Sequence, residues 1–293
     1  YNPNTERGRD QLVYAKDYVK LAERLGVDFA LNLGDLIDQD DANATTVNPQ
    51  RLFAITRIFA NSEIPFVYAI GHHEQYPYLG LADGVSNYTF STQKVVGLTE
   101  RFTRYLTDVH STTDKKSASF YIDFEMQGIR LISLDSVSNT TNGYSQAVVD
   151  FLRDEALNTT KKVLVVSHVA SRASANWKAT VPVNGDLIEA ALETFVSNGG
   201  TVLAHIHGHT HWDNIVKGND MSYPLISVCC AGVQKANTTT EAEGVSGAPT
   251  SYDRTNNSYS AYCMDVFCVH ANTGEIHIYR FGAGADRIYT PSD

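Results

Sequence analysis

Thr201-Val-Leu-Ala-His-Ile-His-Gly-His-Thr-His211 is the stretch on which the reading of this chain depends. Thr201 to Ile206 is apolar and rich in β-branched residues, which predicts a buried strand. Gly208 ends that strand and lets the backbone turn. His209 and His211 follow at the strand's carboxyl end, one residue apart. In open α/β sheets that is the end where ligands gather. Two imidazoles at i and i+2 beyond a glycine can converge on one point, as metal ligands must. Four of the ten histidines of the chain fall in these seven residues, from His205 to His211. His205 and His207 alternate along the strand and read as support for the loop.

Working outward, the same pattern recurs. Arg7 to Leu25 carries apolar residues at helical spacing and is stopped by Gly26. Asp28 to Leu33 predicts a strand that ends in Gly34-Asp35-Leu36-Ile37-Asp38. A polar loop, Gln39 to Asn48, leads to a helix with Pro49 in its first turn. Pro65 to Ile70 predicts a second strand, ending in Gly71-His72-His73-Glu74. Strand, acidic loop, helix, strand and His-rich loop make a βαβ unit with polar clusters at both strand ends. Further on, Ser119 to Glu125 and Ile129 to Leu134 read as strands, Leu98 to Leu106 and Ser145 to Leu157 as helices. Lys162 to Val166 reads as a buried strand with His168 just past its end, and Asp186 to Val196 as a helix. The last third reads as strands without helices: Trp212 to Val216, Tyr223 to Cys229, Ala261 to Val269 and Glu275 to Phe281. Gln75 to Gln93 and Gln234 to Ser260 read as long irregular segments of the kind that wall a cleft. No repeat or linker divides residues 1–293, which predicts a single domain.

Composition narrows the partners. The formal charge of −10 argues against a general nucleic-acid surface, which needs a basic footprint. No apolar run approaches the roughly 18 residues of a transmembrane helix. Asn-x-Ser/Thr triplets at Asn43, Asn87, Asn139, Asn158, Asn237 and Asn256 lean toward an extracellular or cell-surface setting. Cys229, Cys230, Cys263 and Cys268 lie in strand-like runs and read as buried free thiols, with a disulfide between neighbouring strands as the alternative. The adjacent Cys229 and Cys230 would face opposite sides of a strand. Oligomeric state leaves no mark in the sequence.

Four clusters therefore share one address at strand carboxyl ends: Asp35 with Asp38, His72-His73-Glu74, His168, and His209 with His211. Carboxylate plus imidazole is the ligand set of Zn, Mn, Fe or Ni. One aspartate with several histidines exceeds the needs of one ion and suggests two ions bridged by Asp35.

In this order and spacing the motifs resemble those of the calcineurin-like metallophosphoesterases. That family's pattern is D-x-H, GD-x-x-D, GNH[E/D], a lone H, then GH-x-H. The resemblance spans roughly Arg7 to Val216 and implies an α/β fold, a two-sheet β-sandwich flanked by helices. It implies hydrolysis of a phosphate mono- or diester by a hydroxide activated by two divalent transition-metal ions. The substrate would be a phosphorylated small molecule or polymer. By the resemblance Asp35 bridges the ions, His211 binds the first, and His168 and His209 bind the second. His73 acts as general acid, Glu74 orients His73, and Asp38 braces its loop. Asp38 stands where iron-tyrosine members carry Tyr, which argues against the purple acid phosphatase branch.

Two departures from the pattern stand out. No D-x-H precedes the first helix, so the first strand and two ligands of the first ion are missing from residues 1–6, by truncation or by loss. And His72 replaces the family's Asn. Its Nδ1, one bond from Cγ like an Asn Oδ1, can bind the second ion in the same place, or the ring swings away and water fills the position. The competing expectation is a degenerate domain of this fold, acting as a binding or structural module of a larger surface or virion protein.

Overall fold

The computed structural model describes residues 6–37, 44–75, 109–111, 117–137, 142–175, 180–231, 254–255 and 258–291. Helix α1 (Glu6–Leu25) leads into β1 (Ala30–Asn32), and α2 (Ala44–Ala60) into β2 (Phe66–Tyr68) and the single helical turn α3 (His72–Gln75). Then come β3 (Val109–Ser111), β4 (Phe120–Phe124) and β5 (Ile129–Leu134). Helix α4 (Gln146–Asp150) is capped by Ser145, whose side chain accepts from the Val148 N–H, and widens into a π-helical stretch, Phe151–Ala156. The chain continues through β6 (Lys162–Ser167), α5 (Gly185–Ser197), β7 (Val202–His207), β8 (Asn214–Val216) and β9 (Leu225–Ser227). It closes with β10 (Cys263–Val269), β11 (Ile276–Gly282) and β12 (Arg287–Tyr289).

Among the described residues the strands form a seven-stranded mixed sheet, β3-β4-β5-β6-β7-β9-β8, a three-stranded antiparallel sheet, β10-β11-β12, and the parallel pair β1-β2. The centre of the large sheet, β5-β6-β7-β9, is parallel. Parallel strands are covered on both faces, so they read as continuous apolar runs. Alternate residues serve two cores. Ile132, Leu134, Val163 and Val165 pack with Val148, Leu152, Ile188 and Leu192 of the helices. Leu131, Leu164, Val166 and Ile206 pack with Val67, Ala69, Ile276 and Ile278 of the smaller sheets. Outside β1-β2, α1 and α2 add a third core through Val19, Ala22, Leu52, Ile55 and Phe66. Fully burying one such side chain is worth about 1.5–3 kcal/mol. That suffices to fix every strand's facing, because a one-residue slip would turn the apolar set to the wrong side.

The order is thus helices, small sheets, large sheet, helices, with four differences from the sequence reading. The strands around Ile215 and Ile226 join the edge of the large sheet; only β10 to β12 form the separate antiparallel sheet. Helix α2 begins at Ala44, inside the expected loop and ahead of Pro49. The His72-His73-Glu74 segment is helical, not a loop. Strand β3 was not expected. The segments 76–108 and 232–253, with the expected helix at Leu98 to Leu106, lie outside the described residues, as does Asp38. Among the described residues no helix is long and apolar enough to cross a membrane.

Candidate metal centre

Parallel pairing carries the motif loops to one edge. β1 and β2 run in register, Asn32 beside Tyr68, and β6 and β7 likewise, Ser167 beside His207. The residues that follow each strand therefore emerge side by side. Gly34 and Gly71 let two of these loops touch. A methyl on Gly71 would lie 2.2 Å from Asp35 Oδ1 and 2.3 Å from the Asp35 nitrogen, and one on Gly34 would lie 2.5 Å from the Gly71 nitrogen. Past the glycines the backbone is bent: Asp35, His209 and His211 have φ of 56°, 66° and 60°. Left-handed conformations in residues with a Cβ cost on the order of 1–3 kcal/mol and gather at functional sites.

Glu74 holds the bend. Its Oε2 accepts from the N–H of Asp35 and of Gly71, each at 2.9 Å, and its Oε1 from the N–H of Ile37 at 3.3 Å. The carboxylate is fully buried. Burial first, and the Asp35 charge second, raise its pKa. Glu74 thus braces two loops through their backbones. The His73 N–H in turn donates to Asp35 Oδ1 at 3.0 Å, and this leaves Oδ2 facing the imidazoles.

Around that oxygen the rings converge. Asp35 Oδ2 is 3.2 Å from His168 Nε2 and 3.3 Å from His72 Nδ1. His72 Nδ1 and His168 Nε2 are 3.0 Å apart. The His209 ring centroid lies 4.9 Å from that of His72 and 5.0 Å from that of His168. Asp35, His72, His168 and His209 each offer one donor atom, and these atoms all lie within 4.8 Å of one another. His168 Nδ1 donates to the Leu33 carbonyl at 2.6 Å, since a carbonyl only accepts. Its Nε2 therefore points its lone pair inward, the tautomer control usual at metal-ligating histidines.

The electrostatics fit a cation. Burial alone would raise the Asp35 pKa, but His168, His72 and His73 hold it well below the usual range. Burial pushes His72 down to about 3, with Asp35 opposing and its neighbouring imidazoles adding. Burial, then His168 and His72, hold His209 well below its ordinary value. His168 goes the other way, because Asp35 and Leu33 outweigh its burial. A carboxylate and three imidazoles converge on one point, His72 and His209 held neutral, and the buried His209 Nδ1 has no hydrogen-bond partner among the described residues. The donor set and the orphaned nitrogen both suit a divalent transition ion.

His211 and His73 stand beside this group. His211 acts electrostatically on His72 and His209 without belonging to the four-donor set. His73 Nε2 is 3.9 Å from Asp35 Oδ2, and its ring centroid is 4.3 Å from that of His72. His205 and His207 are buried below the loop. His205 Nε2 bonds Ser167 Oγ at 2.7 Å, and burial pushes the two imidazoles down to about 3 and about 4. The cysteines are free. Cys229 and Cys230 follow the end of β9 and are not within a strand, so strand alternation does not apply to them. Cys268 is exposed where a buried thiol was expected, because it lies on the outward face of β10.

One supporting group left no signal in the sequence reading. Asp213, buried two residues past His211, meets Arg280 Nη2 at 2.7 Å and Arg287 Nη1 at 3.2 Å, and Asp265 Oδ1 holds Arg280 Nε at 2.8 Å. Its Oδ1 also accepts from the Cys229 N–H at 3.0 Å. This cluster ties the His209–His211 loop to β10, β11 and β12. Removing one partner of a buried ion pair costs about 3–5 kcal/mol, because a charge is left uncompensated. Asp213→Ala should therefore lower the free energy of unfolding in urea by that amount. A change below about 1 kcal/mol would show that the cluster is not a fastening.

Residues 8–213 match the family profile of calcineurin-like phosphoesterases. Among solved structures, a dimetal phosphatase from Danio rerio superposes with a TM-score of 0.60 at 13% identity, covering 96% of this chain and 90% of that one. A purple acid phosphatase from yellow lupin, Lupinus luteus, superposes with a TM-score of 0.48 at 12% identity, covering 96% of this chain and 47% of that one. GAP50, the anchor in the inner membrane complex of Plasmodium, gives 0.48 at 12% identity over 99% of this chain and 82% of that one. No curated protein matches the sequence.

Proposed function

Because the chain belongs to the calcineurin-like phosphoesterase family, we propose that it hydrolyses a phosphate mono- or diester with two divalent transition-metal ions, Mn, Zn, Fe or Ni. The observation that carries this reading is the convergence of Asp35, His72, His168 and His209 on one point within 4.8 Å. Bound there, divalent ions supply positive charge that polarises phosphoryl oxygens and lowers the pKa of a water.

The residues divide the remaining work. His72, His168 and His209 would hold one ion with Asp35, His72 through Nδ1 in the place of the family's Asn. Asp35 and His211 would hold the second ion. Glu74 keeps Asp35 in its strained backbone conformation through the amides of Asp35 and Gly71. His73 lies outside the four-donor set, with Nε2 3.9 Å from Asp35 Oδ2, and hands a proton to the leaving oxygen.

The direct test measures bound metal and turnover of a chromogenic phosphodiester on the same preparation. A loss of two equivalents of transition metal on Asp35→Asn, together with turnover that disappears in the same variant, is expected. One equivalent or none at this centre, with no turnover, would favour a binding or structural module built on the same fold.

A further inference from the structure

The hairpin that joins β10 to β11 carries a second group of metal donors. In its register Val269 pairs with Ile276 and Cys268 with His277. Ile276 and Ile278 are fully buried toward the large sheet. Side chains alternate along a strand, so His277 on β11 and Cys268 on β10 share the outward face, and Glu275 and His270, next to the paired ends of these strands, continue the alternation. The His270 N–H donates to the Glu275 carbonyl at 2.9 Å, and the Gly274 N–H to the His270 carbonyl at 2.8 Å, which closes the turn. Lys162 Nζ donates to the carbonyls of Ala271 and Asn272 and pins the turn to the start of β6.

On this fixed frame, one donor atom each from His270, Glu275 and His277 lies within 4.8 Å of the other two. The imidazole of His277 already contacts the Glu275 carboxylate, and its ring centroid is 5.3 Å from that of His270. His270 is exposed and the other two are partly so, which leaves a path for an ion. Cys268 is an exposed thiol directly opposite His277. Residues opposed in an antiparallel pair have Cβ atoms about 4.5–5.5 Å apart, so rotation of one side chain brings its sulfur to the group. Two imidazoles, a carboxylate and a thiolate form a tetrahedral set of the kind zinc takes.

We propose that the outward face of this hairpin binds one divalent transition ion, zinc by its donor chemistry, through His270, Glu275 and His277 with Cys268 as fourth ligand. The site is separate from the centre at Asp35. Its turn is pinned by Lys162, the first residue of β6, whereas His168 follows the last residue of that strand. At about 3.3 Å per residue the two sites lie roughly 20 Å apart, at opposite ends of the parallel strands.

The experiment loads the full chain with zinc alone, in the Asp35→Asn background, and counts bound metal by equilibrium dialysis. One equivalent should persist there and vanish when His270→Ala and His277→Ala are added. Zinc should also raise the melting temperature of the first protein and not of the second, because an ion that binds only the folded state stabilises it by mass action. In an otherwise unaltered chain the paired hairpin substitutions should leave phosphodiester turnover unchanged. With cobalt in place of zinc, a thiolate-to-metal charge-transfer band should appear and be absent in Cys268→Ser. Bound zinc that is indifferent to the paired substitutions overturns the site, and a cobalt complex without that band overturns the role of Cys268. Because the count is made without Asp35, a failed catalytic reading leaves this result standing, and the reverse also holds.

Discussion

Replacing Gly71 with alanine should lower metal affinity at the centre about 10–100-fold and turnover by at least about 100-fold, with the fold retained. The reason is local and steric. The new methyl would sit 2.2 Å from Asp35 Oδ1 and 2.3 Å from the Asp35 nitrogen, well inside van der Waals contact. Neither neighbour can yield freely. The nitrogen is bonded to Glu74, and Oδ1 accepts from the His73 N–H. The methyl must therefore part the Asp35 loop from the Gly71 loop, and Asp35 Oδ2 moves away from His168 and His72. Overpacking of this kind costs about 1–3 kcal/mol of stability, a modest loss for a chain with three apolar cores. Shifting a residue that orients a ligand typically costs 10–100-fold in affinity, and a misplacement near 1 Å can cost 100-fold in rate. Metal titration, steady-state kinetics and a thermal melt on one preparation separate these effects. Unchanged metal affinity and turnover would mean that the close approach of the two loops does not matter to the site.

Much of this centre is legible in the sequence for one reason. A parallel strand ends where its apolar run ends, so polar residues just beyond it are placed without knowledge of the fold. Asp35, His72, His168 and His209 were found that way. What holds them was not. Glu74 acts through the backbone amides of Asp35 and Ile37, and no residue type in a sequence advertises an amide as a partner. Asp213, Asp265, Arg280 and Arg287 are charged residues far apart in the chain, yet they meet in the interior because β10, β11 and β12 pair side by side and their two arginines face Asp213 at the end of the His209–His211 loop. Sheet membership was lost in the same way. Leu225–Ser227 is as apolar as any strand of a second sheet, and only its pairing with β7 assigns it to the first. The hairpin shows the limit most plainly: His270, Glu275 and His277 sit beside apolar residues as in any strand, and their convergence depends on register.

His73→Ala should reduce turnover by about 10²–10⁴-fold, the usual range for a general acid, and leave the metal content of the centre unchanged. The geometry separates this imidazole from the ligands. Its Nε2 is 3.9 Å from Asp35 Oδ2, farther than His72 or His168, and it is not one of the four residues whose donor atoms converge. It starts the helical turn α3 with His72, so it flanks the ligand ring instead of closing it. A group in that position can reach the oxygen that departs when the phosphorus–oxygen bond breaks. Its loss would be felt only where that oxygen needs a proton. The variant should therefore be most impaired on esters of poorly acidic alcohols and much less on a nitrophenyl ester, whose phenolate leaves unprotonated. A purely structural defect would slow both substrates alike, and a ligand's removal would strip metal before it slowed either. Equal losses on both substrates, or metal lost along with turnover, would remove His73 from the acid's role.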